Sequence, residues 1–143
     1  MVELSPYLWA IAAGWIVAQG AKYIIVALKT RSISHVRQLY LSGNMPSAHS
    51  ATTIALVTVI GLKDGIETGL FGLASLFAAI VIYDSMMVRR SVGEQGLAIQ
   101  ALIKEGASKV LVPRAAKGHT PLEVLVGSFV GVTVGLVVFF ATK

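Results

Sequence analysis

Gly118-His119-Thr120-Pro121-Leu122-Glu123 opens an uncharged run, VLVGSFVGVTVGLVVFFA, that continues to residue 141. A bilayer's hydrocarbon core needs about 20 apolar residues as helix, and residues 120–141 supply that length with no charge after Glu123. Thr120 suits an N-cap and Pro121 the first helical position. Glu123, three residues after the cap, completes a capping box. A membrane-length helix therefore starts here, with a histidine at its mouth.

The whole chain has the same character. Of 143 residues, 55% are hydrophobic and only 13% charged, and the mean hydropathy is +0.77. A soluble domain carries about 25% charged residues, so an integral membrane protein is expected. A single domain over residues 1–143 fits this length. The absence of cysteine excludes disulfides and thiolate metal sites. The net charge of +5 fits basic cytoplasmic loops better than a nucleic-acid partner. A soluble nucleic-acid binder would have to expose the apolar runs.

Three more runs precede this one. Residues 6–28 form a span with Trp9 and Trp15 near one end. Glu3, the lack of a preceding basic residue and the length of the run argue for a retained span, not a signal peptide. Residues 47–62 form a short span. It needs a thinned bilayer, cover from a neighbour, or a start below the interface in a protein cavity. Residues 66–88 form the third. Residues 91–112 read as helical but too polar to cross. Ser91-Val92-Gly93-Glu94 fits a capping box, Leu97, Ala101, Ala107 and Val110 make one apolar face, and Gly106 bends or breaks the helix. Its expected place is the interface or just outside it. The fold expected is all-α: a membrane bundle of about four spanning helices plus an interfacial helix.

Alternation of four spans puts Lys29, Arg31, Arg37, Arg89, Arg90, Lys104, Lys109, Arg114 and Lys117 on one side. Lys63 and Lys143 fall on the other, and Lys22 within the first span. The positive-inside rule makes the basic side cytoplasmic and puts both termini outside. Gly127, Gly131 and Gly135, at steps of four, form a ridge that another helix can approach closely, within the chain or in a homodimer.

A second histidine motif, Met45-Pro46-Ser47-Ala48-His49-Ser50, stands seventy residues before His119 and on the same side. Ser47 or its neighbour can cap the short span, with His49 in its first turn. A helix start offers unpaired N–H groups and the positive end of the macrodipole, which suits an anion. Two such starts, each with a histidine, make a phosphate site. A lone interfacial histidine is ordinarily held by a backbone carbonyl. An ionisable group at a span boundary, inside a Pro-Ser-x-His pattern, favours function. The hydroxyls of Ser50, Thr52 and Thr53 are expected to bond back to their own helix.

The charged residues add to this pattern. Glu123, four residues after His119, can hold that ring and fix its tautomer as well as close the cap. Lys22, inside a span, must meet an acid or an anion, unless it snorkels to the interface. Lys29 and Arg31 mark a span end. Arg89 and Arg90 are anchors whose forks also match phosphate oxygens. Asp84, about one turn inside the third span, is a charge partner for Lys22, Arg89 or a histidine. Asp84, Glu94 and Glu123 lack the close spacing of a metal site.

Pro46-Ser47-Ala48-His49, His119-x-x-x-Glu123 and the stretch from Tyr83-Asp84 to Val88-Arg89-Arg90 resemble the divergent branch of the type-2 phosphatidic acid phosphatase family. That branch is related to acid phosphatases and vanadium-dependent haloperoxidases. The resemblance spans residues 22–131. It implies that His119 attacks phosphorus, Glu123 orients it and His49 protonates the leaving oxygen. Lys22, Lys29, Ser47, Ala48, Arg89 and Arg90 would hold phosphate, with no metal or cofactor. The chain departs from the parent pattern in four ways. Ala48 stands for glycine and Glu123 for aspartate. Lys29 stands for an arginine without its proline, and Pro113 occupies an arginine place with Arg114 beside it.

The function expected is a membrane phosphatase for a lipid phosphate monoester or pyrophosphate. The alternatives are a non-catalytic lipid-phosphate binder or polyprenyl-phosphate carrier, and an assembly subunit that uses the glycine ridge. The expected partners are a lipid phosphate, membrane lipids and a second copy of the chain. The expected location is the cytoplasmic membrane of a prokaryote.

Overall fold

The computed structural model describes residues 5–31, 45–106, 110–113, 115 and 118–143. Their regular structure is entirely helical: α1 (Pro6–Thr30), α2 (Ala48–Lys63), α3 (Gly69–Tyr83), a π-helical turn (Asp84–Val88), α4 (Arg89–Glu105) and α5 (Pro121–Ala141). Local chemistry sets the starts. Pro6 opens α1, and the Ser47 hydroxyl accepts the Ser50 N–H at the head of α2. The Thr68 hydroxyl accepts the Phe71 N–H (3.2 Å) at the head of α3. At α5 both halves of the capping box form.

Among the described residues three helical stretches are long and apolar enough to cross a membrane: Pro6–Thr30, Gly69–Glu105 and Pro121–Ala141. With 16 residues, α2 rises only about 24 Å, against a hydrocarbon core of about 30 Å. Its position resolves the shortfall. α2 is the central helix, packed chiefly on α5, then on α1 and α3. Its first residues are buried, so it begins inside the bundle under cover of its neighbours.

Small side chains make that packing possible. Ala18 meets Ala48 and Ala51, while Ala10 and Ala55 pack with Val59, Val134 and Val138. The glycine ridge of α5 lies against α2. A Cβ on Gly131 would stand 2.6 Å from the Ala51 carbonyl oxygen, and one on Gly135 2.6 Å from the Thr58 Cβ. The ridge is therefore used within the chain. At the opposite end from the histidines, the Tyr7 hydroxyl donates to the Asp64 carboxylate (2.7 Å) and ties the start of α1 to the end of α2.

The polar segment after the third span differs from expectation. It is no separate interfacial helix: α3, the π turn and α4 form one continuous helix of 37 residues. At about 55 Å it exceeds the hydrocarbon thickness of about 30 Å, so its polar end must leave the apolar layer. The Ser91 capping box does not form, because the helix is already under way there and Ser91 has no chain end to cap. Its hydroxyl accepts from Gln95 (3.4 Å), and Glu94 pairs with Arg90 (3.2 Å). The expected apolar face is not packed either: Leu97, Ala101 and Val110 are exposed, and Ala107 lies outside the described residues. Gly93 and Gly96 are the buried positions of α4. Gly106 caps the helix and ends it.

Candidate phosphate site between two helix starts

The start of α5 carries His119, which is 4% exposed. Its Nδ1 lies 3.0 Å from Glu123 Oε2. The same oxygen accepts the Thr120 N–H at 3.0 Å. One carboxylate oxygen thus closes the helix cap and orients the ring. A carboxylate oxygen that already takes the Thr120 N–H acts as the acceptor here too, so Nδ1 is the ring's donor in this contact and Nε2 is the nitrogen turned away from it.

The π turn holds the backbone of His119. The Arg89 N–H bonds the Asp84 carbonyl, five residues back. In an α-helix it would bond Ser85, so the widened turn releases the Ser85 carbonyl. The His119 N–H takes it, at 2.9 Å. The incoming loop is seated on α4 by glycines. A Cβ on Gly118 would stand 2.7 Å from the Arg90 nitrogen, and one on Gly96 would stand 3.0 Å from the Ala115 Cα. Gln100 also donates to the Pro113 carbonyl (2.7 Å). Ser85 and Gly118 lie inside the quoted stretches without a role there, and the structure makes both of them builders of the site.

The start of α2 meets the start of α5 through a hydrogen bond from the Ser47 N–H to the Glu123 carbonyl (3.1 Å). Ser47 is wholly buried, and its hydroxyl also accepts from Ser50 Oγ (3.1 Å). The amides of Ala48 and His49, in the first turn, have no helical carbonyl to bond. The His49 ring lies edge-on to that of His119, with centroids 6.0 Å apart. Its Nδ1 is buried without a partner.

Cations surround this pair. Lys22 of α1 is 3% exposed and lies within electrostatic reach of Glu123 and His49. Burial excludes snorkelling and turns Lys22 into the bundle, where Glu123 is its neighbouring acid. Arg89 and Asp84 also lie within electrostatic reach of His49. Asp84 bonds Arg89 Nε (2.8 Å), so the terminal nitrogens of the guanidinium are those that can fork onto a phosphate. The structure gathers Lys22, Ser47, Ala48, His49, Asp84, Arg89, His119 and Glu123.

Lys29 and Arg90 are not gathered there. Lys29 is exposed, two turns past Lys22. Arg90 pairs with Glu94 and lines an open groove of about 490 Å³, with Leu97 on its wall and His119 and Thr120 at its end. Arg37, Lys109, Arg114 and Lys117 lie outside the described residues. Among the described residues, no three His, Asp or Glu side chains converge as metal ligands.

Two helix starts, a histidine–carboxylate pair and a facing histidine thus stand together at one end of the bundle. Residues 4–134 match the divergent PAP2 family. The chain belongs to that family. An uncharacterized membrane protein of Bacillus subtilis, YuiD, is 34% identical to it, over 69% of this chain and 72% of that protein. No solved structure matches. With the apolar helices, these similarities make the chain a multi-pass membrane protein of a phosphatase-related family. Within this divergent PAP2 protein, Arg89 comes from a different element than the arginine place before His119, which Pro113 fills.

Proposed function

We propose that this protein is a membrane-embedded phosphatase that hydrolyses a lipid phosphate monoester or pyrophosphate through a phosphohistidine. The observation that carries the reading is the contact of His119 Nδ1 with Glu123, with the His49 ring facing it across 6.0 Å. Nε2 of His119 attacks phosphorus in line. The N–P bond forms as the P–O ester bond breaks, and His49 gives its proton to the leaving oxygen. His49 then takes a proton from water. The resulting hydroxide attacks phosphorus and releases phosphate, and His119 is restored. Lys22, Arg89 and the amides of Ala48 and His49 hold the phosphate oxygens and neutralise their charge. Positioning and charge neutralisation supply most of the acceleration in phosphoryl transfer.

Positive-inside counting supports a site at the cytoplasmic face of the cytoplasmic membrane, with both termini outside. The groove beside Arg90 suits the entry of water and the exit of phosphate. The test is phosphate release from a panel of lipid phosphates by purified protein in detergent, with His119→Ala and EDTA arms. Release that is lost in the variant and insensitive to EDTA supports the reading. Release lost with EDTA points instead to metal chemistry at Asp84. Binding without release from any lipid favours a lipid-phosphate carrier.

A further inference from the structure

Hydroxyls in membrane helices ordinarily bond back to a carbonyl four residues earlier. Thr30, Thr53, Thr58, Thr133 and Thr142 all do so here, at 2.8–2.9 Å. Thr52 does not, contrary to the expectation for that stretch. Its hydroxyl is buried without a partner. Gln19 Oε1 and His49 Nδ1 share that condition. A polar atom buried at membrane depth without a partner is costly, so three of them call for a common account.

Register puts them at one level of the contact between α1 and α2. Ala18 packs on Ala48 and Ala51, and a Cβ on Gly14 would stand 3.1 Å from the Ala51 carbonyl oxygen and from the Thr52 Cα. α1 and α2 are therefore antiparallel. Gln19, next after Ala18, stands level with the first turn of α2, where His49 sits. Thr52 lies one turn deeper on the same face as His49. Lys22 follows Gln19 by three residues, so the group borders the phosphate cluster on its membrane side.

We infer that Gln19, His49 and Thr52 form a recess for a free hydroxyl on the alcohol half of a lipid phosphate, as in a glycerol phosphate with one unacylated hydroxyl. The inference rests on the reading of the neighbouring cluster as a lipid-phosphate site. The chemistry selects the group. Gln19 Oε1 only accepts, whereas Thr52 both donates and accepts. A hydroxyl satisfies the two at once; an ester carbonyl cannot donate to Gln19, and a polyprenyl chain offers nothing. The geometry agrees. His49 and Thr52 are separated by about 4.5 Å along the helix axis, comparable to the span from phosphorus to a hydroxyl on the second carbon of its ester.

Two probes that differ by one hydroxyl test this. One is a dodecyl glycerol ether phosphate; the other is its deoxy twin, dodecyloxypropyl phosphate. Binding to the purified full chain in detergent is measured by titration calorimetry, with phosphate release followed in parallel. The wild type should bind the hydroxylated probe about tenfold more tightly, as one added hydrogen bond allows. Gln19→Leu and Thr52→Val should each remove most of that preference and leave the deoxy probe's affinity unchanged. Both variants delete an unpaired buried group, so their melting temperatures should match or exceed the wild type. Equal affinity of the wild type for the two probes, or a preference that survives both substitutions, overturns the recess. Preference without phosphate release supports the recess while overturning hydrolysis. Failure of both probes to bind overturns the phosphate site and the recess together.

Discussion

Replacing Gly127 with alanine tests whether the contact between α2 and α5 is what holds the two histidines together. A Cβ on Gly127 would stand 2.5 Å from the Ser47 carbonyl oxygen and 3.1 Å from both the Ser47 nitrogen and Cβ. Backbone atoms cannot rotate away from the new methyl group. Ordinary contact begins near 3.4 Å, so the two helix starts must part by about 0.9 Å in an interior that has no slack. Overpacking of this kind costs about 1–3 kcal/mol. The same movement stretches the Ser47–Glu123 backbone bond from 3.1 Å and forfeits about 1 kcal/mol more. The expected loss is about 2–4 kcal/mol of stability. It comes with a fall in turnover on the order of 100-fold, because a misplacement of about 1 Å is enough for that. Thermal unfolding in detergent, read beside phosphate release, measures both. Gly72→Ala is the control: a Cβ there meets nothing within 4 Å, so stability and turnover should hold. If Gly127→Ala melts and turns over like the wild type, the close approach of these helices does not position the site.

Glu123→Gln keeps an acceptor for the Thr120 N–H but loses the charge beside His119. Melting should change by less than about 1 kcal/mol, while turnover falls on the order of a hundred- to ten-thousand-fold. Equal losses of stability and rate would reduce Glu123 to its capping role. His49→Ala should slow first-turnover cleavage of an alkyl phosphate on the order of a hundredfold or more. Release of nitrophenolate from an aryl phosphate, which needs no proton, should suffer far less. An equal loss on both substrates would remove His49 as the acid. Arg89→Lys replaces a fork by a point charge and leaves Asp84 a cation. It should weaken phosphate binding about tenfold, read as a rise in KM. No change in KM would take Arg89 out of the phosphate set.

Much of this site is legible in the sequence because its residues begin helices, and helix starts have local grammar. Thr120, Pro121 and Glu123 mark a start by their own hydrogen-bonding chemistry, as Ser47 does. The apolar periods on either side determine which end of each span the histidines occupy. The glycine ridge is equally plain, although its partner is not: spacing announces a close approach without naming the helix that makes it. The polar segment misleads for a related reason. Ser91 and Glu94 have the right residues for a cap, but a cap requires a chain end, and the helix from Gly69 runs through that point. Gly96 looks like a weak helix former, yet it is buried where the loop that carries His119 is seated. Two neighbouring residues show the limit most clearly. Thr52 and Thr53 have the same chemistry on the same helix; Thr53 bonds back to His49, and Thr52 does not. Their difference lies in what faces them, and no local signal carries it.

The widened turn at Asp84–Val88 suggests a final test. Deleting Met86 would let Asp84–Val88 close as ordinary α-helix. The Asp84 carbonyl would keep the Arg89 N–H, now four residues on, so Arg89 and the helix beyond would stay close to their present places. The Ser85 carbonyl would accept from its own helix, which orphans the His119 N–H at about 1–3 kcal/mol. Circular dichroism should therefore report unchanged helicity, while melting falls by that amount and phosphate release slows as His119 loses its backbone anchor. Met86→Ala, which keeps the length, should leave both close to wild type, because the extra residue and not the thioether frees the carbonyl. A deletion variant that melts and turns over like the wild type would mean that the extra residue in the turn does not anchor His119.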